Sequence, residues 1–350
     1  MNSLQDVISY LENYNGRPLK LMEVCGTHTS SIAKNGIRSI ISPKIRLCSG
    51  PGCPVCVTPQ GYIDKLCNYS MEVNTVVLTF GDMMKVPGTK DSLSDAKAKG
   101  GKIDIFYSPF EVIEKAKKTP DLTYIVAAVG FETTVTVYAL MLEDIIKEKI
   151  KNIKFLTALK VIVPVLEILC SKENSIDGFI APGHVSTIIG SDAYTTLSEN
   201  FQKPFAVSGF TAEEVLVGIY DLVKQIDSGK CETHNLYRSA VSSSGNTKAR
   251  LLMDKYFESS EAFWRGVGEL PDSGLYLKGY YAQLDAGSRN IENNNVESFC
   301  CRCSDVIMGR IDPSECEMFG KSCTPAKAMG PCMVSSEGAC GIWYKAHLNK

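Results

Sequence analysis

The stretch Thr123-Tyr124-Ile125-Val126-Ala127-Ala128-Val129-Gly130-Phe131-Glu132-Thr133-Thr134 decides the fold class. Its first seven residues are apolar or β-branched without alternation, the pattern of a strand buried on both faces. Gly130 punctuates the run, and Thr133–Lys149 continues with helical spacing. Strand, turn and helix in that order is the unit of a parallel sheet with crossover helices. The same texture recurs outward, with strands predicted at Leu19–Val24, Thr75–Phe80, Ile103–Tyr107, Gly178–Ala181 and Phe205–Val207. Helical spacing is found at Glu111–Lys118, Leu159–Cys170 and Ala212–Ser228. The expected fold is α/β: two similar parallel-sheet α/β/α units, residues 18–130 and 131–235, then a mostly irregular or helical domain. That last domain takes residues 236–350 together with a short amphipathic helix in 1–17. Lys248–Phe257 reads as one helix, and Gly266, Gly268, Gly274, Gly279 and Gly287 point to irregular structure after it.

The chain has 350 residues, enough for two or three cores. Lys and Arg total 37 against 39 Asp and Glu, so no basic excess advertises a nucleic-acid surface. The N-terminus lacks a basic region, a continuous apolar core and a small-residue cleavage site. No stretch approaches the ~18 uninterrupted apolar residues of a membrane span. These features read as a cytoplasmic protein with neither nucleic acid nor membrane as partner. Fourteen cysteines are the unusual count: too few for a disulfide scaffold, and seven of them fall between Cys300 and Cys340. In a reducing compartment, clustered thiols lean toward metal binding or redox work.

Cys301, Cys303, Cys316, Cys323, Cys332 and Cys340 supply six thiols, two more than a tetrahedral zinc or a four-iron cluster requires. A zinc site would favour paired Cys-x2–4-Cys knuckles, which are absent from Cys301 to Cys340. Prolines and glycines between the thiols suit a loop wrapped around an iron–sulfur cluster, with zinc or a disulfide mini-domain as the alternatives. Two thiols left over beside a cluster could exchange electrons with it, joining one-electron to two-electron chemistry.

At the other end, Cys25 closes the first predicted strand and opens a helix in Met22-Glu23-Val24-Cys25-Gly26-Thr27-His28-Thr29. A helix N-terminus favours thiolate, and His28 shares the helical face of Cys25, within reach of its sulfur or of a bound group. Gly50-Pro51-Gly52-Cys53-Pro54-Val55-Cys56 presents two more thiols on an uncrowded turn. Loops at the carboxyl ends of parallel strands converge on a crevice, so Cys25, Cys53 and Cys56 are expected to line one pocket. Asp82, Lys85, Glu132, Thr133, Thr134 and His184 also follow predicted strands, though each alone is an ordinary cap or loop contact. No phosphate-loop or dinucleotide fingerprint is present.

These motifs, with Gly130-Phe131-Glu132-Thr133-Thr134, Cys323-Thr324-Pro325 and Gly330-Pro331-Cys332-Met333-Val334-Ser335-Ser336-Glu337-Gly338-Ala339-Cys340, resemble the HypD family of hydrogenase maturation factors. The match runs in order through essentially the whole chain. The resemblance implies a scaffold that assembles and holds the Fe(CN)2CO unit of [NiFe]-hydrogenases. It works with the small chaperone HypC and takes cyanide from HypE with HypF. It also implies a [4Fe-4S] cluster held by Cys301, Cys316, Cys323 and Cys340, with Cys303 and Cys332 as a redox pair. Cys25 becomes the main ligand of the transient Fe(CN)2CO iron, near His28, Cys53 and Cys56. The doublet Cys300-Cys301 offers two neighbours for the first cluster position, and Ser304 stands where the family commonly has glycine. Soft, electron-rich ferrous iron suits thiolate ligands. The competing readings are an iron–sulfur-dependent thiol–disulfide oxidoreductase acting on a protein, which would not need Cys25, and a zinc-stabilised binding module.

Overall fold

The computed structural model describes residues 3–171, 175–291 and 301–348, so the Cys300 alternative lies outside the described residues. Eleven strands are found among them: β1 (Leu19–Glu23), β2 (Ile45–Ser49), β3 (Thr75–Thr79), β4 (Ile103–Ile105), β5 (Thr123–Gly130), β6 (Ile153–Lys160), β7 (Gly178–Ala181), β8 (Phe205–Val207), β9 (Thr233–Asn235), β10 (Phe257–Trp264) and β11 (Gly268–Leu277). One sheet runs β2-β1-β7-β8-β9 and is wholly parallel. The other runs β10-β11-β6-β5-β3-β4, with β6, β5, β3 and β4 parallel and the β10–β11 hairpin antiparallel.

The α/β class holds, and its cause is visible in β5. From Tyr124 to Gly130 every residue is buried, so the strand needs no polar face. Val126 and Ala128 meet Val135, Tyr138 and Leu142 of the helix Glu132–Lys147. Ile125, Ala127 and Val129 meet Tyr62, Ile63 and Leu66 of the helix Gln60–Met71. The five-stranded sheet is covered likewise, by Val7, Leu11, Leu216 and Ile219 on one face and Val165, Leu166 and Leu169 on the other.

The division at residue 130 does not describe these sheets. β1 and β2 pair with β7–β9 from the second half, while β6 joins β3–β5 from the first. The chain therefore builds one sheet, leaves for the other after β2, and returns at β7. β6 is hidden in sequence because Lys154 and Lys160 break its apolar run; the helix expected from Leu159 starts at Ile162. The stretch after Phe257, expected to be irregular, forms with it the β10–β11 hairpin, and its glycines mark the turn and a register shift. The N-terminal helix Leu4–Glu12 does not join the cysteine-rich end. It packs on the helix Ala212–Asp227, where the Tyr10 hydroxyl donates to Asp227 Oδ2 at 2.8 Å. No described helix is long and apolar enough to cross a membrane.

Each sheet reverses its strand order once, between β1 and β7 and between β3 and β5. Such reversals open a crevice at the carboxyl ends of the strands. Cys25 follows β1, and Pro182-Gly183-His184 follows β7. Asp82 follows β3, and Phe131-Glu132 follows β5. The segment Ser335–Glu337 reaches both places, touching Asp82 at one and Gly26 at the other.

Candidate metal and thiol centre

Glu23 shapes the turn at the end of β1. Its Oε2 accepts from the Cys25 backbone N–H at 3.1 Å, and its Oε1 accepts from the Thr29 hydroxyl. The side chain is buried, and burial pushes its carboxyl up to about 7 despite those hydrogen bonds. Cys25 is the cap residue of the helix Gly26–Lys34, and its thiol makes no capping bond. Burial lifts the thiol to about 11, although the Thr27 N–H pulls the other way. The helix terminus alone therefore does not deliver the thiolate the sequence suggested, because desolvation outweighs it. A cation at the sulfur would supply the missing stabilisation.

His28 also departs from expectation. Its Nε2 donates to the Gly209 carbonyl at 2.9 Å, with the Ser208 carbonyl at 3.3 Å, so the ring is tied to the loop after β8. Nδ1 is left as a buried acceptor with no protein partner. Burial lowers the imidazole to about 4, which keeps it neutral. The Phe210 ring lies between His28, at 4.8 Å, and His184, at 4.1 Å. The loops after β1, β7 and β8 thus meet at one edge of the five-stranded sheet.

Cys53 and Cys56 are joined as a disulfide, and the Cys56 N–H points at Cys53 Sγ from 3.2 Å. The loop comes close because Gly52 has no side chain: a Cβ there would fall on the backbone of Val24 and Cys25. Gly26 plays the same part opposite, where a Cβ would meet the Glu337 carbonyl at 2.6 Å. A narrow crevice of about 290 Å³ results, walled by Gly26, Thr29, Cys53, Cys56, Cys332 and Glu337. Cys53 and Cys56 wall this crevice together, whereas Cys25 is placed beside their loop by its backbone, under Gly52, and is not among the lining residues.

Six thiols line a second cavity of about 360 Å³: Cys301, Cys303, Cys316, Cys323, Cys332 and Cys340. Cys303 and Cys332 are a pair, with their sulfurs 2.8 Å apart. Burial raises the Cys340 thiol, and thiolate charge on Cys303, Cys301, Cys323 and Cys316 raises it further. Cys323 is raised by burial and by Cys301 and Cys316, against a hydrogen bond from the Met329 N–H. Such mutual repulsion falls away when a cation occupies the space between the sulfurs. The donors fit an iron–sulfur group in kind and number: all are sulfur, in an apolar wall completed by Val306, Phe319 and Met333. They line the cavity without converging, for no three His, Cys, Asp or Glu groups among the described residues stand together as a ready metal site. Cys332 belongs to both cavities and so lies between the Cys53–Cys56 loop and the other thiols. Cys48, Cys67, Cys170 and Cys231 line neither.

The remaining strand-end residues divide. Asp82 is a loop contact: its Oδ2 accepts from the Ser336 N–H at 2.9 Å and the Ser336 hydroxyl at 2.8 Å. Glu132 is buried, accepts from the Ile162 N–H at 2.9 Å through Oε1, and leaves Oε2 without a partner; burial lifts it to about 7. Thr134 bonds back to the Phe131 carbonyl in the first helical turn, Thr133 is half-buried, and Lys85 is exposed. Sequence reasoning missed Arg265. Its backbone N–H donates to the Val57 carbonyl at 2.9 Å and its Nη1 to the Pro87 carbonyl at 3.1 Å. Burial lowers its basicity, and Cys303, Cys301 and Cys332 counter that, which makes it the cation facing the thiol pair. Its place in a glycine-rich stretch concealed the strand end that positions it. Glu23 was quoted only as part of a motif; a carboxylate two residues before a strand-end cysteine was the available signal.

The HypD family model, described as "Hydrogenase formation hypA family", matches residues 2–347. The hydrogenase maturation factor HypD of Escherichia coli (strain K12) is 36% identical over 346 residues, covering 98% of this chain and 93% of its own. That of Azotobacter vinelandii is 38% identical over 338 residues, covering 94% and 89%. That of Rhizobium leguminosarum bv. viciae is 39% identical over 339 residues, covering 94% and 88%.

Proposed function

This chain belongs to the HypD family and has a role in hydrogenase maturation, and on that premise we propose that it is the cytoplasmic scaffold on which the Fe(CN)2CO unit of [NiFe]-hydrogenases is built and held. The observation that carries the reading is the crevice in which Cys53, Cys56 and Cys332 share one wall, with Gly52 packed on the Cys25 backbone. In this reading the iron is cargo. Cys25 binds it, and the neutral His28 Nδ1, which lacks a partner, offers an acceptor to a water or donor beside it. HypC would bring a further ligand, and HypE with HypF the cyanide groups.

Cys301, Cys316, Cys323 and Cys340 would hold a [4Fe-4S] cluster, which when bound supplies single electrons. The protein's own thiols carry the two-electron part. Cys332 thiolate attacks the Cys53–Cys56 disulfide, forming a mixed disulfide and releasing one thiolate. Cys303 thiolate then displaces the second, leaving a Cys303–Cys332 disulfide and a Cys53/Cys56 dithiol. Two electrons and no atoms other than protons have moved. Arg265 faces the attacking pair and favours its thiolate form.

Infrared spectroscopy of the chain co-expressed with a HypC-type partner tests the reading, since cyanide and CO stretches arise only from the loaded iron. Bands that vanish in Cys25→Ala are the expected result. Their persistence in that variant would refute Cys25 as the iron ligand.

A further inference from the structure

We propose that Lys160 marks a second binding site, a cleft in the six-stranded sheet that takes the carboxylate or phosphate group of a small anionic metabolite. β11 pairs with β6 only through Gly274 with Lys160 and Leu275 with Leu159. Further along β6 the bridge partner is Asp285, opposite Phe155, so the sheet opens beside Ala158. The opening is a cleft of about 690 Å³, walled in part by Ala158, Lys160, Tyr276, Ser288 and Arg289.

Lys160 is 3% exposed. Its ammonium lies 5.4 Å from the centre of the Trp264 ring, and burial with no opposing charge is what acts on it. Buried lysines are ordinarily ion-paired, because desolvating an unpaired ammonium is strongly unfavourable. No carboxylate offsets the burial here, which lowers the amine to about 7. The rim carboxylates Glu261 and Glu269 are exposed and do not pair with it. A second cation borders the cleft: Arg289 lies 4.5 Å over the Tyr276 ring and pairs with Glu258 at 2.6 Å. Ser288 is already committed, accepting from the Thr157 N–H at 2.7 Å and donating to Asp285. One cation without a counter-ion, a second at the rim and space beside them are the complement of an oxyanion. The apolar Ala158 floor and the Tyr276 ring suit a small organic body behind that group.

Lys160 over Trp264 also provides the readout. The chain has two tryptophans, so Trp343→Phe leaves Trp264 as the sole indole. In that full-length background, fluorescence is followed while sodium acetate or sodium phosphate replaces sodium chloride at constant ionic strength. A saturable change with either anion is expected, acetate indicating a carboxylate ligand and phosphate a phosphorylated one. Lys160→Met should weaken it by about tenfold or more, as the loss of a charge-assisted bond predicts. Arg289→Gln, at an exposed residue, should weaken it by about threefold. No saturable change with either anion overturns the proposal, as does an unchanged affinity in Lys160→Met. If Lys160→Met does not fold, an unchanged affinity in Arg289→Gln overturns it instead.

Discussion

Cys25 stands at the end of a strand paired on both sides, whereas Cys316 and Cys323 stand on turns. β1 is bonded to β2 and β7, and the Glu23 carboxyl fixes the turn that follows it. The other two thiols hang on a three-residue turn at Pro313–Glu315, a bridge of Phe319 to Cys323 and one of Thr324 to Lys327. A site on a sheet edge is set by the whole core and keeps its geometry when empty. A site on turns is held by local bonds and by whatever fills it. In the proposed reading this gives each region a different dependence on ligand: the first would bind cargo reversibly, and the second would need a resident group.

The largest effects test that division. Cys25→Ala is expected to abolish hydrogenase maturation while leaving cluster absorbance near 400 nm and the melting temperature nearly unchanged. Normal maturation would remove the cargo role. Cys323→Ala is expected to lose the cluster iron and lower the melting temperature by several degrees, since ligand binding is folding free energy there. Full iron content in that variant would show that Cys323 is not a ligand.

The sheet-edge site also has its own pH signature. Burial holds folded Glu23 at about 7, against 4.5 for the ordinary carboxyl. The folded form thus keeps a proton that the unfolded chain has lost, and stability falls as pH rises between those values. The expected loss is on the order of 3 kcal/mol. Denaturant titrations at pH 5 and pH 8 should show Glu23→Gln flattening the decline by that amount; parallel declines would mean that Glu23 is not buried as a neutral acid.

Smaller changes probe how the two regions are joined. In Gly52→Ala the new Cβ displaces the Cys25 backbone, for a cost of about 1–3 kcal/mol and a larger proportional loss of maturation than of stability. Wild-type maturation would show that the loop tolerates separation from Cys25. Arg46 on β2 reaches Glu315 at 2.6 Å and Asp312 at 3.2 Å, tying the sheet to the cysteine-bearing turns. Both partners of the closer pair are largely exposed, so Arg46→Ala should cost no more than about 1 kcal/mol. A larger destabilisation would mean that the turns lean on the sheet more than their local bonds suggest.

Sequence alone determined the α/β class, the strand-end position of Cys25 and the six-thiol set, because each rests on local pattern. Seven apolar or β-branched residues followed by Gly130 announce β5 without help from the rest of the chain, and a family motif survives as contiguous residues. Tertiary structure alone decided which strands pair. β1 and β7 are more than 150 residues apart, and no local pattern distinguishes that neighbour from β3. It also gave His28 to the Gly209 carbonyl, made Cys332 common to two cavities and brought Arg265 to the thiol pair. The acidity of Cys25 turned on the same level: the helix terminus was legible in sequence, but the burial that overrides it comes from segments far along the chain. Periodicity reports what a residue's neighbours in sequence require, whereas desolvation and register depend on neighbours in space.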